Sequence, residues 1–186
     1  MNQDFLSVRE LTEQDIHPII EYWLSSDSVF FLGMGVELNK IPDRNQWKKM
    51  LTKQLNTPIG QKESYCIIWL VNKEAVGHSN VSKIIFGEEA YMHLHLWNAK
   101  ARKKGYGTEL VKMTLPYFFQ NLKLKRLFCE PYALNLSPNK TLEKVGFKLV
   151  KNYVTTPGWL NFEQPVNRWM LELEEHNLNS KASGSA

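Results

Sequence analysis

The run Arg102-Lys103-Lys104-Gly105-Tyr106-Gly107-Thr108 puts three cations and two glycines into one short stretch, with Lys100 just ahead of it. Glycines let backbone N–H groups come close to a ligand, and a helix opening here would add partial positive charge at its N-terminus. The stretch therefore reads as a site for an anion of phosphate size. It is not a Walker A loop, because no Lys-Ser/Thr pair follows the second glycine, and it lacks the third glycine of the dinucleotide fingerprint. A basic, glycine-bearing turn with no ligand is the alternative. Just upstream, His93-Leu94-His95-Leu96-Trp97 sets two imidazoles two residues apart. On a strand they share a face, and an imidazole titrating near neutrality suits a general base. The alternative for each is a hydrogen-bonded core residue, and His-x-His without a third ligand at typical spacing is weak evidence for a metal site.

For such a loop to act, a strand must deliver it and a helix must start from it. Ala90 to Trp97 reads as that strand, the second arm of a hairpin with Ala75 to Ile85 around Phe86-Gly87-Glu88-Glu89. After the loop, Leu110, Val111, Thr114, Leu115, Phe118, Phe119 and Leu122 recur at helical spacing, with Pro116 expected to kink or interrupt the helix. Towards the N-terminus, Phe5 to Glu10 reads as a strand and Thr12-Glu13-Gln14-Asp15 opens a helix. Ser25 to Ile41 carries Gly33 and Gly35 without a period and reads as a loop, followed by a helix from about Asp43 to Leu55. Ser64 to Val71 is apolar enough to be a strand buried on both faces, turned by Asn72-Lys73-Glu74.

Towards the C-terminus, Lys125 to Glu130 reads as a strand ended by Pro131. Ser137-Pro138 looks like a cap and first-turn proline of a short helix to Val145, which Gly146 stops. Phe147 to Val150 and Val166 to Leu173 complete the strands, ahead of a polar tail. This order predicts a mixed α/β (α+β) domain: a mixed central sheet of about six to seven strands with flanking helices.

The chain's 186 residues, 43% hydrophobic and 23% charged, fit one soluble globular domain. No apolar stretch approaches the ~20 residues of a membrane span, and the first ten residues lack a basic segment followed by an apolar run. The expectation is a cytoplasmic protein with no membrane partner. Cys66 and Cys129 lie in apolar runs and read as buried thiols. The pI of about 9.0 and the scattered aromatics raise nucleic-acid binding as a minor reading, disfavoured because the aromatics sit in apolar runs rather than on a basic platform.

Arg102-x-x-Gly105-x-Gly107, after a strand and opening a helix, resembles the pyrophosphate-binding signature of the GNAT N-acetyltransferases. Asn135-Leu136-Ser137-Pro138-Asn139, with Gly146-Phe147 after a short helix, resembles the family's later motif, in family order. The resemblance spans about Phe5 to Leu173 and is closest to the RimJ/RimL-like ribosomal-protein acetyltransferase branch. It implies the GNAT fold over residues 1–175 with a polar tail at 176–186. The implied activity transfers an acetyl group from acetyl-CoA, with no metal, to a primary amine that attacks directly in a ternary complex.

The same resemblance implies that cofactor binding falls to backbone near Leu96 and Trp97, to Arg102, Lys103, Lys104, Gly105, Tyr106, Gly107 and Thr108, and to Asn135 and Asn139. His95 is the favoured base, with His93 second. The tyrosine that serves many members as thiol acid is here Leu142, which leaves Ser137, Tyr132, water or no acid. The acceptor pocket falls to Val29–Ile41 and Tyr153–Asn167. Phe30, Phe31, Trp159 and Phe162 would be apolar walls, or plain core, and Glu37 or Glu163 would hold a cationic amine. The partner is then an amine-bearing small molecule or a protein N-terminus, and the protein a monomer or homodimer. The alternative is a non-catalytic acyl-CoA-binding sensor of the same fold.

Overall fold

A computed structural model of the chain describes residues 4–97, 101–102 and 104–176. The order is β1 (Leu6–Glu10), α1 (Glu13–Ser25), α2 (Ser28–Gly33), α3 (Arg44–Asn56), β2 (Tyr65–Val71), β3 (Glu74–Ile85), β4 (Glu89–Leu96), α4 (Tyr106–Pro116), β5 (Arg126–Cys129), α5 (Leu136–Val145), β6 (Lys148–Thr155) and β7 (Gln164–Glu172). Seven strands form one sheet in the order β1-β2-β3-β4-β5-β7-β6. Only β4 and β5 run parallel; the other neighbours are antiparallel. The mixed sheet with flanking helices is the one expected.

Alternation along β2 explains the layering. Tyr65, Ile67 and Trp69 enter the core beneath α4 and α5, whereas Cys66 and Ile68 enter a second core under α1, α2 and α3. Both faces of this strand are therefore sealed, and each fully buried side chain contributes about 1.5–3 kcal/mol. Inside the first core the Trp69 indole donates to Thr114 Oγ1 at 2.9 Å, and that hydroxyl donates to Leu110 O at 2.8 Å, so β2 is fixed to α4. Cys66 and Cys129 are buried free thiols, and burial pushes both upward from the ordinary thiol range. Asn72 and Lys73, with φ of 51° and 70°, make the β2–β3 turn a two-residue connection whose twist suits a hairpin.

Several expected boundaries move. The stretch read as a loop holds α2, six residues begun by Asp27, whose carboxylate accepts from Val29 N–H at 2.8 Å. A helix of barely two turns cannot display a period. Helix α5 starts at Leu136 with Asn135 as its cap, so Pro138 still lies in the first turn, where a missing N–H costs nothing. Helix α4 ends at Pro116, and a wider π turn over Tyr117–Asn121 carries the chain on. Gly146 stops α5 in the left-handed conformation, φ 103°. Strand β6 is longer than expected because its far half pairs with β7. Of the polar tail, residues 177–186 lie outside the described residues.

Candidate active site

β4 and β5 pair only from Glu89 to Met92 and from Arg126 to Cys129. Past that point each strand follows its other neighbour. Trp97 N–H donates to Val76 O on β3 at 2.9 Å, while Ala133 N–H donates to Pro165 O at 2.9 Å and Asn167 N–H to Pro131 O at 3.2 Å. A gap opens between the halves of the sheet. Along a strand, successive N–H groups point to opposite neighbours. With Trp97 spent on β3, alternation directs Leu94 and Leu96 into the gap. This corrects the pairing of Leu96 with Trp97 as thioester-facing amides: the Leu96 N–H faces the gap while its carbonyl is taken by Arg102, and Trp97 serves through its indole, which donates to His78 Nδ1 at 2.7 Å.

The glycine loop stands at the mouth of this gap. Gly105 caps α4 in the left-handed region, φ 82°, and supplies no side chain to the first-turn amides. Thr108 N–H turns back to Gly105 O at 3.2 Å. A Cβ on Gly107 would sit 4.0 Å from both Leu96 Cδ1 and Thr141 Oγ1, so the helix start lies between β4 and α5. Arg102 faces inward, donating to Leu96 O at 3.0 Å with its guanidinium 3.8 Å over Phe30. The Lys104 ammonium is 5.6 Å from the Tyr106 ring, and the Tyr106 hydroxyl donates to the Asp4 carboxylate. Lys103 lies outside the described residues.

Behind the gap is a cavity of about 650 Å³, reached by Leu94 from β4, by Cys129, Tyr132 and Asn135 from the β5–α5 side, and by Trp47 and Trp159 from the far side. Its roof is the β6–β7 connection, strapped to the segment after α2 by a bridge between Val36 and Asn161 and by Asn161 Nδ2 donating to Gly35 O at 2.9 Å. On the other side, Lys83 Nζ donates to Pro157 O at 2.8 Å.

Three imidazoles line it. His93 and His95 share a face, as alternation requires, and the β3–β4 register adds His78 directly opposite His95. The His78 and His95 rings stack with centroids 4.6 Å apart. Tyr22 Oη lies 3.2 Å from His95 Nδ1, and Ser82 Oγ lies 2.8 Å from His93 Nε2. The expectation of imidazoles titrating near neutrality is overturned by burial. Surrounding protein solvates the charged form poorly, and His78 falls to about 3 and His93 to about 4, with Lys83 adding to the shift at His93. His95 is pushed well below its ordinary value by burial and then by its two histidine neighbours. All three are neutral at physiological pH. Because an indole N–H can only donate, His78 Nδ1 is unprotonated and its proton rests on Nε2. Burial also pushes the Tyr22 phenol upward, so its hydroxyl stays protonated.

Residues 6–148 match the family model described as "Acetyltransferase (GNAT) domain". The chain belongs to the GNAT acetyltransferase family. A relative from Bacillus subtilis (strain 168), named "Uncharacterized N-acetyltransferase YnaD", is 23% identical over 143 residues, 77% of this chain and 79% of that protein. Among solved structures, spermidine N-acetyltransferase from Vibrio cholerae with CoA and spermine superposes with a TM-score of 0.75 at 16% identity, covering 92% of this chain and 98% of that one. RimL, a ribosomal L7/L12 alpha-N-protein acetyltransferase with CoA, gives a TM-score of 0.73 at 13% identity over 91% and 95%. At these identities the structures establish a shared fold.

In this GNAT acetyltransferase several expected site residues do other work. Asn139 is buried with its amide fully committed: Nδ2 donates to Tyr132 O at 3.1 Å and Asn135 O at 2.7 Å, while Oδ1 accepts from Asn167 and from the Trp169 indole at 2.8 Å each. It locks α5 onto β7 and has no polar capacity left for a cofactor. Asn135, by contrast, caps α5 without a side-chain hydrogen bond and reaches the cavity. Leu142 is core, Ser137 is exposed, and of the candidate acids Tyr132 lines the cavity. Of the expected acceptor walls, Trp159 lines the cavity, whereas Phe31 is core, Phe30 lies under Arg102 and Phe162 packs against Tyr132. Neither Glu37, paired with Lys40 at 2.6 Å, nor exposed Glu163 is among the described lining residues. His78 and Tyr22 were missed; hairpin register exposes the first, whereas the second reaches the site only through packing of α1.

The buried histidines set an expected pH response. Between their ordinary value and their depressed folded values, the unfolded chain binds protons that the folded protein does not, so stability falls as pH drops below about 6.5. The slope reaches up to ~1.4 kcal/mol per pH unit for each such histidine. Urea unfolding between pH 7.5 and 4.5 measures it. His78→Gln, which keeps an acceptor for Trp97, should flatten the slope; an unchanged slope would remove His78 as a contributor.

Proposed function

We propose that this acetyltransferase moves an acetyl group from acetyl-CoA to a primary amine, with the cofactor entering the gap between β4 and β5. The carrying observation is the continuity of the site: uncapped amides at the start of α4 lie beside the Leu96 side chain, and Leu94, two residues back along the same edge of β4, lines the histidine-bearing cavity. These parts fit a long anionic thioester. The first-turn amides at Tyr106 and Gly107, with Lys104 nearby, would take pyrophosphate, and Leu94, Leu96 and Asn135 would take the arm that follows. We leave Arg102 to cap the end of β4.

At the reacting end, the amine attacks the acetyl carbonyl while Leu96 N–H donates to the developing oxyanion. The C–N bond forms and the C–S bond breaks. The amine's excess proton passes to His95, directly or through water; Tyr132, which lines the same cavity, would protonate the departing sulfur and regain its proton from His95 through water. His93, held by Ser82, is a wall of the site in this scheme. The acceptor is an amine-bearing small molecule or a protein N-terminus, the latter in keeping with the RimL-like branch. The setting is cytoplasmic, with residues 1–175 acting as one domain, as monomer or homodimer. Among the described residues no helix is long and apolar enough to cross a membrane.

Two measurements test this. Acetyl-CoA at about 100-fold its Kd should add ~2.7 kcal/mol to stability, seen as a raised Tm, and free thiol should appear only when an amine is supplied. No thermal shift at millimolar acetyl-CoA would overturn the proposal.

A further inference from the structure

We infer that the acceptor is a small monoamine on an apolar, ring-bearing scaffold, and not a polycation; this rests on the acetyl transfer proposed above. The charges around the cavity carry the inference. Glu63 is paired with Lys53 at 2.8 Å. Glu130 is nearly buried and accepts from Arg168 Nε at 2.6 Å and from the Tyr153 hydroxyl. Lys83 reaches Pro157 O and lies 4.9 Å from the centre of the Tyr91 ring, and among the described residues it makes no ion pair with a carboxylate. His78, His93 and His95 are neutral.

Among the described residues the cavity thus offers no unpaired carboxylate and one cation without a carboxylate partner. An ammonium that is not the attacking group would be desolvated there without a counter-ion, which costs several kcal/mol per charge. A monoamine escapes this cost, because its single nitrogen sheds its proton to react.

The walls say what the rest of the molecule is. Trp47 and Trp159 face one another at 5.9 Å and 51°, and Met34, Met50 and Leu160 extend the apolar surface. Trp159 and Met50 remain 55% and 42% exposed, large apolar area at a rim where a ring would cover it. The strapped roof and the volume of about 650 Å³ suit a small molecule better than a polypeptide terminus.

The test pairs binding with turnover. Calorimetry on CoA-saturated protein, and thiol release with acetyl-CoA, are run with 2-phenylethylamine, spermidine, kanamycin and a short peptide bearing a free N-terminus. We expect 2-phenylethylamine to bind and to exceed the other three in kcat/KM by ~10²-fold. Met50→Glu, which adds a carboxylate at the rim, should narrow its lead over spermidine at least ~10-fold. Preference for spermidine, kanamycin or the peptide overturns the inference. So does an unchanged ratio in Met50→Glu, or failure of the aryl amine to bind a protein that does bind CoA. Failure of CoA itself to bind overturns the acetyl-transfer reading instead.

Discussion

Replacing His95 with glutamine lowers kcat by ~10²-fold or more while CoA affinity stays near wild type, the scale expected on losing a proton acceptor. The glutamine variant is chosen because His95 packs against Trp23 and His78, and alanine there would open a cavity. Steady-state thiol release gives kcat, and calorimetry gives the affinity. Held neutral by burial, His95 stays unprotonated throughout the physiological range, so its own titration does not limit the rate there. The acidic limb of the wild-type rate profile should then follow the amine's own ionisation. Unchanged kcat would make His95 a core residue, and CoA affinity falling in parallel would make it structural. His93→Gln is the internal control, expected to change kcat by less than ~10-fold, since Ser82 holds that ring.

Gly77→Ala should be the most damaging small substitution near the site. Opposite Leu96 in the register, Gly77 lets β3 approach β4 so closely that a Cβ would stand 2.4 Å from His95 O and 3.2 Å from Leu96 Cα. Backbone cannot rotate aside as a side chain can, so the two strands must part. The expected cost is about 1–3 kcal/mol in urea unfolding. CoA affinity should fall as well, because Leu96 is displaced. Full stability with full affinity would show that the strands absorb the methyl without moving the site.

Much of this was legible in sequence for identifiable reasons. The glycine loop announced itself because cations, glycines and a helix start coincided within seven residues, and β2 because an unbroken apolar run is what burial on both faces requires. The sharing of a face by His93 and His95 followed from alternation alone. What could not be read depended on contacts between distant segments. Tyr22 meets His95 across 73 residues of chain, and Asn139 is consumed by Asn167 and Trp169 on β7. The wrong expectation about imidazole titration has the same origin: sequence gives an ionisable group's type, whereas its solvation is decided by everything packed around it. Glu37 and Glu163 carry the charge that would hold an ammonium, but the fold directs both away from the described cavity wall.

The parting of β4 from β5 gives this sheet an internal edge along β4 in addition to its two outer ones. The outer ones are guarded in ordinary ways: β1 is five residues long, and β6, with Leu149 and Val150 exposed, carries an irregularity in register and flanking lysines at 148 and 151. The third edge is internal, walled by α5 on one side and by the strapped roof on the other. Another protein's strand cannot dock along it, so it brings none of the aggregation hazard of an open margin. A slender linear molecule can still line up on Leu94 and Leu96 as a strand would, which lets the fold use sheet-type pairing for recognition without offering that pairing to other chains.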